Sequence, residues 1–418
     1  MKNTVHDSYF ALYAKEDHAK LIEDLQEFQA DTHWEAIEAK NTRFVPLSSV
    51  EETELAVGAG EAYKDSMGSE LPIAAVLPDG RKYLMRPYLL KNIKQHHRDN
   101  ALVLSDMLHQ GKIDAFCEHV SMGRHFLKKS ILMMVRGEKI SGWFSDFNAS
   151  WSQLAQIEFF EEKMRSAFPN MKFESAEVSH YCTTVNYTLD DSMDSRALHD
   201  SLGLKPGVMD AYIDAWVSAG LPAEVLRSAV PICQFVTGES GLTSIEVRPY
   251  IRLNNKWGCI PLGNKLSVNH RGSDEHVWEK FETFPGQVAI LYQKGLAGIE
   301  RLCYQTMRHP YCAITHVLAQ FRASVPMKRL QTCAANAEIF WPREDEEAVC
   351  KAIDIFNCVN ESVSAANAEL SPIRRLRNAE TIGRLCHMDW REFDVATVNK
   401  SFAKSDADKM ISDDDFGI

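Results

Sequence analysis

The chain lacks any run of apolar residues long enough to cross a bilayer, and its opening residues, MKNTVHDSYF, have no signal-peptide core. A cytoplasmic protein with no membrane partner is expected. There is no Cys-x-x-Cys pair. The ten cysteines fall at irregular spacings, which argues against a disulfide framework and for free thiols in a reducing compartment. A phosphate-cradling P-loop, a dinucleotide fingerprint and a Gly-x-Ser-x-Gly elbow are all missing, so no cofactor is implied and an enzyme is the minority reading. Positive charge is also in deficit: 46 Lys and Arg against 58 Asp and Glu leave a net charge of −12. That balance opposes indiscriminate wrapping of nucleic acid but allows a local basic groove, because the field at a site depends on arrangement.

Two stretches depart from the acidic background. From Arg81 to Arg98 there is no acid, while Arg81, Lys82, Tyr83, Arg86, Tyr88, Lys91, Lys94, His96, His97 and Arg98 supply cations and two tyrosines. Cations at this density suit phosphate contacts, and tyrosines can stack on unpaired bases. The competing reading is a surface hairpin followed by a positively charged helix start. The second stretch runs from Pro231 to Ser273, where Ile245, Val247 and Ile251 alternate with Glu246, Arg248 and Arg252, and Lys256, Lys265, His270 and Arg271 follow. Period-two alternation predicts a strand with one face on a core and a basic face outward.

Residues 1–70 read as a helical arm, with Leu21, Ile22, Leu25 and Phe28 at helical spacing and Trp34 and Ile37 continuing that face. Pro78-Asp79-Gly80 between Ile73–Leu77 and Lys82–Met85 is hairpin chemistry. One amphipathic helix is expected over 101–120, a second hairpin turning near Arg136-Gly137-Glu138, a helix over 150–168, a β-rich segment over 173–189 and helix again over 191–227. Hairpins mixed with helices give an α+β class: a central antiparallel, hairpin-rich sheet packed with helices. The expected units are 1–70, an α+β core with basic strands over 71–300, a helical region over 301–400, and a disordered acidic tail over 401–418. Ser371 to Arg377 (SPIRRLR) reads as a capped helix beginning with a basic face. Cys303, His309, Cys312 and His316 superficially offer zinc ligands, but Pro310 interrupts them and isolated Cys and His are commoner than zinc sites.

Two patches carry a family resemblance. One is Thr237-Gly238-Glu239-Ser240-Gly241, then Arg252 with Gly258, then His270-Arg271-Gly272. The other is Val135-Arg136-Gly137 through Lys139-Ile140-Ser141-Gly142-Trp143-Phe144-Ser145-Asp146-Phe147. Together they resemble the phage- and plasmid-borne family catalogued as domain of unknown function 932, over about residues 123–301, with Asn255 and Trp257 departing from its pattern. The family name implies a phage or plasmid setting and no activity. The final residues, Asp413, Asp414, Asp415, Phe416, Gly417 and Ile418, resemble the acidic tip of bacterial single-stranded-DNA-binding proteins, which recruits DNA-metabolism enzymes. The combined expectation is a homo-oligomeric protein that binds single-stranded DNA, anneals strands in recombination or replication, and recruits host proteins. The alternatives are an interaction protein that binds no DNA and a metal-dependent enzyme.

Overall fold

A computed structural model describes residues 6–55, 60–96, 101–125, 130–145, 151–189, 230–240, 243–252, 259–269, 274–313, 316, 349–367 and 370–396, and statements of absence below refer to these. The chain opens with strand β1 (Phe10–Tyr13), helix α1 (His18–Ala30), strands β2 (Thr32–Glu38) and β3 (Arg43–Pro46), and helix α2 (Gly60–Met67). Leu21, Leu25 and Phe28 are buried, as their spacing predicts. The segment is nevertheless not a helical arm. Trp34 and Ile37 lie in β2, because residues Thr32 to Glu38 pair in register with Arg136 to Ser130. A seven-residue ladder outweighs the local helical pattern.

The first hairpin follows as expected: β4 (Ile73–Val76) and β5 (Lys82–Met85), closed by Gly80 at φ 89. After it come α3 (Leu90–His96), α4 (Ala101–His109) and α5 (Ile113–His125). The single helix expected over 101–120 is cut at Gly111. There φ is 68, and the amides of Gly111 and Lys112 close back on the carbonyls of Leu108 and Met107, a Schellman stop. The second hairpin is β6 (Ser130–Arg136) and β7 (Lys139–Ser145), turning at Gly137. Helix α6 (Gln153–Ala167) starts at a Ser152 cap, and β8 (Lys172–Ser179) and β9 (Thr183–Thr188) form a third hairpin. Residues 191–227, expected to be helical, lie outside the described residues. Then come β10 (Val230–Thr237), β11 (Ile245–Arg252), β12 (Cys259–Pro261) and β13 (Leu266–Val268). The remainder is α7 (Asp274–Glu282), α8 (Phe284–Tyr304), β14 (Thr306–Met307), β15 (Cys350–Lys351), α9 (Ala352–Asn367) and α10 (Pro372–Leu385).

The class is α+β, with two large sheets. One runs β1-β8-β9-β10-β11-β12, with β13 also on β11. The other runs β2-β6-β7-β5-β4-β3 and is antiparallel except where β5 meets β7. The N-terminal strands therefore serve both sheets. The larger core joins α1, α6, α7, α8 and α9 to the seven-stranded sheet, so the region after residue 301 belongs to the same packing unit. A second core fills the space between the six-stranded sheet and α3 to α5. Strand β11 is covered on both faces: Val247 joins the larger core, while Arg248 on the other face reaches the Leu376 carbonyl of α10. The water-facing basic side expected for β11 is therefore roofed by a helix. No described helix is long and apolar enough to cross a membrane.

Candidate nucleic-acid interface

Three cations of the first basic stretch, Arg81, Lys82 and Arg86, are already paired. Arg81 grips both carboxylate oxygens of Glu35 at 2.9 and 2.5 Å and also holds Asp79, while Lys82 meets Glu54 at 2.9 Å. Tyr83 and Tyr88 are buried in the core of the six-stranded sheet, and the Tyr88 hydroxyl donates to the Ser141 carbonyl at 2.7 Å. Neither ring is available to stack on a base. Hairpin alternation gave β5 its inward residues, and tyrosine supplies the apolar bulk a core position needs. In the second stretch, Arg252 meets Glu174 at 2.5 Å. Lys94 lies in α3; Arg98, His270, Arg271 and the segment Asp413, Asp414, Asp415, Phe416 and Ile418 lie outside the described residues.

Arg86 is wholly buried and takes part in a charged network beneath the start of the chain. Its Nη1 reaches Asp7 at 3.0 Å and its Nε donates to Ser141 Oγ at 2.7 Å. Lys139, also fully buried, lies 3.0 Å from Asp7 and 2.5 Å from Asp65. Burial pushes Arg86 below its ordinary pKa and pushes Asp7 above its own. His180 is buried beside them, donating from Nε2 to the His6 carbonyl at 2.8 Å, and burial and the nearby cations hold its pKa well below 6.5.

The two sequence patches that carry the family resemblance meet here. Arg136, at the end of β6, forms a buried ion pair with Glu239, just after β10. Arg136 also donates to Thr32 Oγ1 at 3.0 Å, and its guanidinium lies 4.7 Å from the centre of the Phe28 ring. Glu239 accepts the Gln153 amide at the start of α6 at 2.5 Å. A carboxylate at a helix N-terminus is well placed for the backbone donors there. Ser240 Oγ donates to the Tyr181 carbonyl at 3.0 Å within the seven-stranded sheet, while Glu239 reaches Arg136 of the other sheet, so residues 237–240 lie at a joint between the two. Glu239 is thereby committed to Arg136 and α6 rather than to acid–base work.

Helix α10 carries further cations. Arg374, Arg377, Thr381 and Arg384 recur at i, i+3, i+7 and i+10, which aligns them along one side, with Arg377 and Arg384 exposed. Helix burial falls on Leu376, Ile382, Gly383 and Leu385 instead. Lys91 of α3 comes close enough to Arg377 that burial and this second cation both push its pKa down. At the other end of α10, a cleft of about 210 Å³ is lined by Arg248, Tyr250, Asn264, Lys265, Glu380 and Arg384. Within it Glu380 accepts from Lys265 at 3.0 Å and from Arg384 at 2.5 Å. Burial opposes the Glu380 charge, yet Lys265, Arg384 and Arg248 together hold its pKa below the usual value. Arg375 reaches down from α10 to Glu177 at 2.6 Å and lies 5.9 Å from the ring centre of Phe10, which is 45% exposed.

The structure thus brings Lys91, Arg248 and Lys265 of the expected set to one helix, and leaves Arg81, Lys82, Arg86, Tyr83, Tyr88 and Arg252 elsewhere. Arg384 and Phe10 were missed. The basic start of α10 was the available signal, but nothing local to Phe10 announces that a short edge strand will carry it there. Cys303 and Cys312 are buried, and no group of three or more His, Cys, Asp or Glu converges as a metal site among the described residues. Comparison with protein-family models, with curated proteins and with solved structures finds no match.

Proposed function

We propose that the chain binds single-stranded DNA along α10. The observation that supports this is the convergence of Lys91, Arg377, Arg384 and Lys265, drawn from three distant parts of the sequence, onto one helix beside the exposed Phe10. Glu380 offsets Lys265 and Arg384, which leaves Lys91 beside Arg377 as the like-charge contact that a phosphate backbone would relieve. Phe10 with Arg375 offers a stacking partner for an unpaired base. The family resemblance suggests a phage or plasmid setting, and strand annealing in recombination there is proposed by analogy. The acidic, apolar segment Asp413, Asp414, Asp415, Phe416 and Ile418 is proposed to recruit host DNA-metabolism proteins, and a pull-down with and without it tests that half.

The test of DNA binding is fluorescence anisotropy with a labelled oligo-dT strand at low salt. The triple variant Lys91→Ala, Arg377→Ala, Arg384→Ala should bind at least about tenfold more weakly, a loss near 1.4 kcal/mol. A control triple, Arg81→Ala, Lys82→Ala, Arg252→Ala, should bind as the unaltered chain does. Equal behaviour of the two triples, or no binding at low salt, rejects the reading. One observation favours an interaction protein instead: β1 pairs only with β8 among the described residues, and Leu12 on it is 66% exposed. An open edge with apolar side chains is a site for pairing with another strand, including that of a second copy. Light scattering with and without DNA separates the two.

A further inference from the structure

We propose that the cleft at the end of α8 binds a nucleotide, with the base on Tyr304 and the phosphate on Arg301. A strand running past the end of α10 is the expected source, and that placement rests on the α10 reading; the chemistry of the cleft does not. The cleft holds about 410 Å³, within the range of small-ligand pockets, and lies between α8, Thr306 of β14 and Arg391. Ala297, Glu300, Arg301 and Tyr304 line it at i, i+3, i+4 and i+7, which is one face of the helix.

Arg301 differs from the paired cations elsewhere. It is exposed, donates to the Cys386 carbonyl at 3.2 Å, and forms no ion pair among the described residues. Asp389, close enough to feel its charge, is taken by Arg391 at 2.5 Å and by the Gln305 amide at 2.9 Å. Glu300 is the one acid on all of α8, so the lining sets two arginines against one carboxylate. Tyr304 is 54% exposed, whereas Tyr83 and Tyr88 are spent in a core. A tyrosine ring open to solvent beside an unpaired guanidinium offers a base a stacking face and its phosphate a partner. The place in the fold is fixed as well. Cys386 directly follows α10, and a Cβ at Gly298 of α8 would fall 2.5 Å from its carbonyl oxygen. The two helices therefore touch at that point, and a strand that runs along α10 and past its end comes to Arg301.

Anisotropy with labelled oligo-dT at low salt tests this on the full chain. Tyr304→Leu keeps the apolar bulk but loses the ring, and should weaken binding at least about fivefold. Tyr304→Phe should bind as the unaltered chain does. Arg301→Gln keeps a donor for the Cys386 carbonyl but loses the charge, and should flatten the slope of log affinity against log salt by about 0.7. Should Tyr304→Leu melt at a lower temperature, the Arg301→Gln slope decides. Competition by thymidine monophosphate separates a free nucleotide from a strand as the source. Lys91, Arg377 and Arg384 are untouched in these variants, so a failure here is distinct from a failure of the α10 reading, which the triple variant reports. Unchanged affinity in Tyr304→Leu, an equal loss in Tyr304→Phe, or an unchanged slope in Arg301→Gln overturns the proposal. So does a cleft that takes the acidic peptide Ser412–Ile418 and neither nucleotide nor strand.

Discussion

At the scale of single residues, the molecule spends its buried charges on joints. Arg136 and Glu239 link the two sheets through a buried ion pair. Glu239→Gln leaves the Arg136 guanidinium buried with its counter-charge removed. The expected loss is roughly 3–5 kcal/mol, the usual consequence of breaking a buried pair by removing one partner. Urea denaturation measures it, and a loss under about 1 kcal/mol would mean that Arg136 repartners or that water enters. His180 gives a pH signature. Its folded-state pKa is depressed well below 6.5, so below that pH the unfolded chain binds a proton that the folded chain does not. Stability should be flat well above pH 6.5 and decline below it by up to about 1.4 kcal/mol per unit until the folded value is reached. His180→Gln should flatten this part of the profile; an unchanged slope would assign the acid lability to other groups. The residues at this joint stand in the two patches that the sequence singles out. Their meeting was not legible there, because an ion pair between two sheets, across a hundred residues, leaves no mark in local spacing.

At the scale of elements, the turns were legible and the environments were not. Pro78-Asp79-Gly80 and Arg136-Gly137-Glu138 each yield a hairpin, since a positive φ at glycine fixes where the chain reverses. Alternation in β11 was equally plain, but it cannot distinguish a polar face that meets water from one that meets another element. Arg248 meets Glu246 and α10, so the cations read as a DNA-facing row became the underside of a helix. That helix reaches its place through a close backbone crossing. Gly383 on α10 lies against Gly263, whose φ of 69 already favours glycine, and a Cβ at residue 383 would fall 2.5 Å from the Gly263 backbone. Gly383→Ala must push α10 away from the β12–β13 turn. The expected cost is about 1–3 kcal/mol, as for other overpacked contacts, seen as a lower melting temperature. If α10 carries the DNA-binding cations, affinity for single strands should fall too, although no charge has changed. A variant that melts normally and binds normally would show the crossing to be plastic.

At the scale of the whole molecule, net charge and local field point in opposite directions. A chain at −12 repels a polyanion at long range, and salt screens that repulsion just as it screens attraction at a basic patch. The two effects separate in how affinity depends on salt. Counterion release at single strands gives a slope of about −0.7 in log affinity against log salt for each phosphate neutralised. Contacts from Lys91 and Arg377 would therefore account for a slope of about −1.4, and their removal should flatten the curve by that amount, whereas Arg384, already paired with Glu380, should add little. Neutralising Arg81, Lys82 and Arg252 should not flatten it, because each already faces a carboxylate of its own and releases no counterion on binding. Those three changes should instead cost little stability, since partly exposed pairs contribute about 0–1 kcal/mol each. Anisotropy titrations from low to physiological salt measure both sets. A slope that flattens with the Arg81, Lys82 and Arg252 changes and not with the α10 changes would return the interface to the hairpin, and one that flattens with neither would remove phosphate contacts from both.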